Sequence, residues 1–141
     1  MADTEIRLAA WEADLALIRQ VREAVFIHEQ NVDPDIEWDQ EEETAQHFLI
    51  VQGKEPLATA RITTSGKIGR MAVVKKARGC GLGLQLLTFI CNYAREHGFS
   101  SVYLHAQSHA EGFYRKAGFR SEGEPFIEAD IPHIKMVRPL D

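Results

Sequence analysis

The chain switches between two hydrophobic periods. Residues 4–9 alternate apolar and polar side chains, the two-residue repeat of an edge strand. From 12 to 26 the period lengthens, and Leu15, Ile18, Val21, Val25 and Phe26 share one face of a helix. Residues 48–51 and 57–63 are short apolar runs joined by Gly53-Lys54. Ser65-Gly66 turns the chain into a third run at 68–74, which predicts an antiparallel meander. Leu86, Leu87, Ile90, Tyr93 and Ala94 predict a long helix over 84–97, stopped by Gly98. Residues 101–107 read as the next strand, and the helical crossover from 68–74 makes these two strands parallel neighbours. A short helix over 109–116 ends at Gly118, and residues 119–122 and 134–137 are expected to pair around a loop at 123–132. The prediction is one α/β (mixed α+β) domain, residues 1–141, with a mixed sheet of six or seven strands and helices on both faces.

Composition narrows the class. At 141 residues, 45% apolar and 26% charged, the chain has the make-up of an ordinary globular protein. No apolar run reaches membrane-spanning length, and the N-terminus lacks the basic and apolar regions of a signal peptide. Cys80 and Cys91 are the whole cysteine content, too few for a disulfide framework, so a reducing cytoplasm is the expected location. No cysteine or histidine pair has metal-ligand spacing.

A net charge of −5 argues against nucleic-acid binding, and the distribution of charge says more. Asp33, Asp35, Glu37, Asp39, Glu41, Glu42 and Glu43 follow one another without a Lys or Arg between them. From 56 to 95 there is no Asp or Glu, while Arg61, Lys67, Arg70, Lys75, Lys76, Arg78 and Arg95 all fall there. On sequence alone this basic segment is uncompensated, which suits a ligand carrying several phosphates.

In the middle of that segment an apolar strand runs into Arg78-Gly79-Cys80-Gly81-Leu82-Gly83 and then into the long helix. Strand, glycine-rich turn and helix point bare backbone N–H groups at an anion. The spacing is neither that of a mononucleotide P-loop nor G-x-G-x-x-G. It does fit R-x-x-G-x-G, and here the sequence resembles the GNAT superfamily of N-acetyltransferases, whose signature turn binds the pyrophosphate of coenzyme A. A second stretch, Ala110-Glu111-Gly112-Phe113-Tyr114-Arg115-Lys116-Ala117-Gly118-Phe119, is similar to the family's late aromatic-Tyr and Gly-Phe motif. A third, running from Val21 through Arg22 and Phe26 to His28-Glu29-Gln30, resembles the opening of the ElaA-like bacterial subgroup, as do Glu37-Trp38-Asp39 and His47.

The resemblance implies a GNAT-type sheet whose two parallel central strands splay around the cofactor, and acetyl transfer from acetyl-CoA to an amine. Backbone groups of Met71, Ala72 and Val73 would hold the acyl carbonyl and pantetheine. Arg78, Gly79, Cys80, Gly81, Leu82 and Gly83, with the first helical amide at Leu84, would hold the pyrophosphate. Tyr114 would protonate the departing thiolate. Gln107 stands seven residues before it, where the family often has Asn. Glu29, His105 and His133 are the candidates for a general base, and no spacing separates them; a water chain is the remaining option.

Glu37, Trp38 and Asp39 are the expected acceptor contacts, because the acidic run follows the first helix and would attract a cationic amine. The acceptor class is then a small primary amine, a polyamine, a peptide lysine or N-terminus, or an aminoglycoside. The plain reading of the same residues is a solvated acidic loop, a core strand and a packing tyrosine. Two other classes stay open: an acyl-homoserine-lactone-synthase-like acyltransferase, with Arg22, Phe26, Trp38 and Asp39 in its early pattern, and a non-catalytic coenzyme A sensor. A homodimer is left open.

Overall fold

The computed structural model describes residues 3–32, 38, 39, 42 and 44–140. Seven strands form one sheet: β1 (Thr4–Leu8), β2 (Gln46–Gln52), β3 (Glu55–Ile62), β4 (Lys67–Val73), β5 (Ser101–Gln107), β6 (Arg120–Glu128) and β7 (Ile131–Pro139). Their order is β1-β2-β3-β4-β5-β7-β6. Only β4 and β5 run parallel; every other pair is antiparallel. Among the described residues no helix is long and apolar enough to cross a membrane.

Strand β2 shows why helices cover both faces. Phe48, Leu49, Ile50 and Val51 are all buried. Phe48 and Ile50 pack into the core with Leu86, Leu87, Ile90 and Ala94 of α2 (Leu82–Glu96). Leu49 and Val51 meet Ile18 of α1 (Trp11–Arg22) on the other face. A strand covered on both sides reads as a continuous apolar run, as this one does.

The expected helix over 12–26 is really two forms. Helix α1 ends at Arg22, and Glu23–Glu29 continues it with π-helical bonding. Gln30 N–H donates to Val25 O at 3.0 Å, five residues back. The wider turn buries the sequence neighbours Val25 and Phe26 together, and Glu29 comes to line the central cleft. Such segments concentrate at functional sites.

The loop expected at 123–132 is mostly sheet. Strands β6 and β7 run on to a two-residue turn, Ala129-Asp130, whose φ angles of 50° and 63° are left-handed, as a tight hairpin requires. Glycine or asparagine normally announces that turn, and neither is here. Gly123 and Pro125, which suggested a loop, fall where the β6–β7 register shifts between Glu122 and Phe126.

The splay implied by family resemblance is present and has a local cause. Strands β4 and β5 pair only at Lys67↔Tyr103 and Ile68↔Leu104, then part. Beyond that point β4 carries a bulge: its register against β3 shifts between Thr59 and Arg61, and Arg70 adopts φ 51°. A bulge bends its strand, here away from β5.

Candidate active site

Between the parted strands lies a cleft of about 930 Å³. Met71, Ala72 and Val73 of β4 line it, with Arg78 and Gly83 from the two ends of the glycine turn, and Gln107 and Tyr114 across it.

Gly79 and Gly81 both sit at φ 84°, a left-handed backbone that L side chains rarely adopt. A Cβ built on either would meet no atom within 4 Å, so open space lies beside both residues. Helix α2 starts at Leu82, two residues earlier than expected, with Gly81 at its N-cap. The first amides of any α-helix lack partners within it. Leu82 is buried and ties the turn to the core, whereas the Leu84 side chain is exposed. The thiol of Cys80 donates to Ala77 O at 2.9 Å. Glycine backbone, open space and a helix N-terminus fit a diphosphate.

Arg78 already has an anion. Its guanidinium forks onto Glu29, with Nη1–Oε2 at 2.7 Å and Nη2–Oε1 at 2.6 Å, while Nε donates to Val73 O at 2.9 Å. The hydrogen bonds hold the Glu29 carboxyl below the usual carboxylate range and raise Arg78 further. Glu29 is therefore a poor base while this fork stands.

Tyr114 lies on α3 (Glu111–Lys116), half-buried, its hydroxyl 4.0 Å from Met71 Sδ. Burial pushes its pKa up to about 12, so the phenol keeps its proton at neutral pH. Gln107 donates from Nε2 to Gln30 Oε1 at 3.0 Å, and its own Oε1 lies 2.7 Å from His109 Nε2. The amide thus joins β5 to the end of the π-helical segment.

The two described members of the acidic run, Asp39 and Glu42, are already paired with arginines. Asp39 accepts two hydrogen bonds of 2.7 Å from Arg61 and one of 3.1 Å from Arg70. Glu42 is buried between Arg22, at 2.7 Å, and Arg61. The ring of Trp38 lies under Arg22 and Arg19, at 4.2 and 5.2 Å, and does not line the cleft. Glu37 lies outside the described residues, with Asp33, Asp35, Glu41 and Glu43. The basic segment is compensated in part: Arg61, Arg70, Lys76 and Arg78 each pair with a carboxylate from elsewhere in the chain. Two opposite runs that look separate in sequence meet across the fold.

The far wall holds a group only partly anticipated. His105 of β5 and His133 of β7 both face Glu128, the last residue of β6. His105 Nδ1 lies 3.1 Å from Glu128 Oε1. His133 Nε2 lies 3.9 Å from Oε2, and its Nδ1 donates to Ile131 O at 2.6 Å. The Phe126 ring stacks on His133 and meets His105 edge-on. Burial pushes the Glu128 carboxyl up, but the His105 hydrogen bond and the charges of His105, Lys67 and His133 outweigh it, leaving the group below its ordinary value. Glu128 went unseen in the sequence because it falls in the stretch expected to be loop. Among the described residues no cluster of His, Cys, Asp and Glu could hold a metal ion.

Comparison with known proteins agrees with this geometry. Residues 14–140 match the model of the acetyltransferase (GNAT) domain. ElaA of Escherichia coli is 36% identical over 136 residues, covering 91% of this chain and 89% of that protein. The N-acetyltransferase YjcF of Bacillus subtilis is 37% identical over 123 residues, covering 84% and 87%. The crystal structure of E. coli ElaA superposes with a TM-score of 0.85 at 33% identity, covering 98% of this chain and 99% of that one. An acyl-CoA N-acyltransferase from Pseudomonas aeruginosa gives the same TM-score at 31% identity and the same coverage. The chain belongs to the GNAT family of acetyltransferases and is an acyltransferase.

Proposed function

We propose that the protein transfers an acetyl group from acetyl-CoA to a primary amine, by direct attack within a ternary complex. The observation that carries this reading is the join of three parts along one cleft: the open glycine turn at its mouth, the parted β4 edge along it, and Tyr114 against Met71. Acetyl-CoA supplies the activated acyl carbon and the leaving thiol.

The chain's own residues do the rest. Backbone N–H groups from Gly79 to Leu84 face the pyrophosphate, and Arg78 joins them once it exchanges Glu29 for phosphate oxygens. The backbone of Met71, Ala72 and Val73, freed from pairing by the splay, orients the pantetheine and the acyl carbonyl. Gln107 holds the cleft between β5 and the π-helical segment. Tyr114 donates its proton to the sulfur as the carbon–sulfur bond breaks. A phenol at about 12 would be a weak acid towards a thiolate in water. The burial that raises the phenol raises the basicity of a sulfur beside it in the same way, so transfer remains feasible.

A cationic acceptor is retained on different grounds from the acidic run: a primary amine is itself an ammonium at neutral pH. Release of free thiol from acetyl-CoA, assayed with spermidine, tyramine and a lysine-containing tripeptide, tests the reading. Amine-dependent release is expected. Binding of acetyl-CoA without release for any of the three would point to a sensor instead.

A further inference from the structure

Resting on the acetyl-transfer reading, we infer that His105 is the proton acceptor for the incoming amine, with Glu128 positioning it from the tip of the β6–β7 hairpin. Three groups were candidates on sequence, and their surroundings separate them. Glu29 sits on Arg78, at the end of the cleft that the acetyl-transfer reading gives to the diphosphate and not to the acyl group. His133 spends Nδ1–H on the Ile131 carbonyl and is buried against Phe126, with Nε2 turned to Glu128. His105 differs. Its Nδ1 meets an ionised carboxylate, which can only accept, so Nδ1 carries the hydrogen. In the neutral ring the lone pair is then on Nε2. His105 lines the cleft, between the cofactor-facing strands and the hairpin.

The hairpin tip is built to hold Glu128 there. Ala129 and Asp130 adopt left-handed φ without being glycine, a conformation that costs free energy and persists only where the surroundings impose it. Ala129 packs against the cluster of Val21, Val25, Phe26 and Ala72, so the tip crosses the cleft to the α1 side. That contact fixes the carboxylate against His105.

The proton balance closes. One proton passes from the ammonium to His105 Nε2 and on to solvent. The free amine forms its bond to the acyl carbon, the carbon–sulfur bond breaks, and the sulfur takes the Tyr114 proton. The second proton lost by nitrogen restores the phenol.

The charged and titratable groups around His105 are Glu128 on β6, His133 and Lys135 on β7, Lys67 on β4 and Tyr103 on β5. The test is the pH profile of kcat/KM for spermidine and tyramine in wild type, His105→Gln, His105→Gly and Glu128→Gln. Cofactor-induced thermal shift serves as the check on folding. His105→Gln is expected to lose about 10²-fold in kcat/KM near neutral pH and to gain rate with rising pH as free amine accumulates. Added imidazole should restore part of the His105→Gly rate. Glu128→Gln should lower kcat about 10-fold, the size of effect expected when a carboxylate that orients a histidine is lost, with the acetyl-CoA Kd unchanged. Wild-type rate and profile in a folded His105→Gln would overturn this inference and leave acetyl transfer standing. A wild type that turns over no amine would remove both.

Discussion

The two walls of the cleft are built in opposite ways. The wall we assign to the cofactor is one continuous stretch, β4 through the glycine turn into α2, with its geometry written in consecutive residues. The wall we assign to the acceptor brings His105, Glu128 and His133 together from three strands, and Asp39, Arg61 and Arg70 from a loop and two more. A diphosphate needs backbone, which a short motif can specify. An amine needs side chains in register, which only the folded sheet can supply. The first wall is therefore legible as a pattern, and the second is legible only as a place.

The comparison can be broken from either side. The largest effect belongs to the buried network behind the acceptor wall. Arg22 and Arg61 are 1% and 3% exposed, and Glu42 lies between them. Glu42→Ala strands buried positive charge and should cost about 3–5 kcal/mol in a urea melt. A loss near zero would mean the network holds without its central carboxylate. On the other wall, Gly81→Glu forces a side chain into a left-handed backbone and sets a carboxylate against the phosphates. Acetyl-CoA at a hundred times its Kd should stabilise wild type by about 2.7 kcal/mol, and this variant by nothing measurable. A full shift would remove the turn from the cofactor site.

Tyr114→Phe probes the seam between the walls. Turnover should fall roughly 10²-fold with the cofactor Kd unchanged. The same variant has a stability signature. With its pKa raised from 10 to about 12, Tyr114 contributes stability that is complete below pH 10 and lost as pH climbs through 12. The phenylalanine variant should escape that loss, about 2.7 kcal/mol at the alkaline end for two units. Identical alkaline melts would show that the hydroxyl is not desolvated.

The smallest effect tests how far the network extends. His47 is buried, stacked on Trp11 at 4.2 Å, with Nε2 2.8 Å from Glu42 O. Burial lowers its pKa despite the Glu42 contacts. Its neutral form is thus favoured by folding, and the stability it contributes is present above the unfolded pKa, near 6.5, and lost as pH falls through the folded value. His47→Gln should flatten the decline of stability between pH 7 and 5. An unchanged decline would place the acid sensitivity elsewhere.

What could be read from the sequence follows the same divide. Most strands and the two main helices are visible as alternating or continuous apolar runs and as a 3.6-residue period, because each faces one core or two on a regular rhythm. The splay itself came through family resemblance, since a bulge at an ordinary Arg70 carries no compositional mark. The hairpin reaching Glu128 was hidden by Gly123 and Pro125, which signal a loop in isolation but a register shift in a paired strand. The charge on Asp39 and Glu42 could not be weighed from the sequence, which lists charges without their partners. Asp39 and Glu42 both pair with Arg61, about 20 residues further along the chain on β3.

Under the proposed reading, the fork between Glu29 and Arg78 would make donor recognition an exchange and not a simple docking. A carboxylate already sits where a phosphate would compete, gripped through the same two nitrogens. If Arg78 takes the diphosphate as proposed, only a donor bringing more anionic charge than Glu29 gains from the swap, and the resting enzyme would select its thioesters by a group remote from the sulfur. A short donor such as S-acetylpantetheine, which ends before the diphosphate, would leave the fork closed, and Glu29→Gln should narrow the gap in Kd between the two donors. An unchanged gap would mean Arg78 is indifferent to which anion it holds.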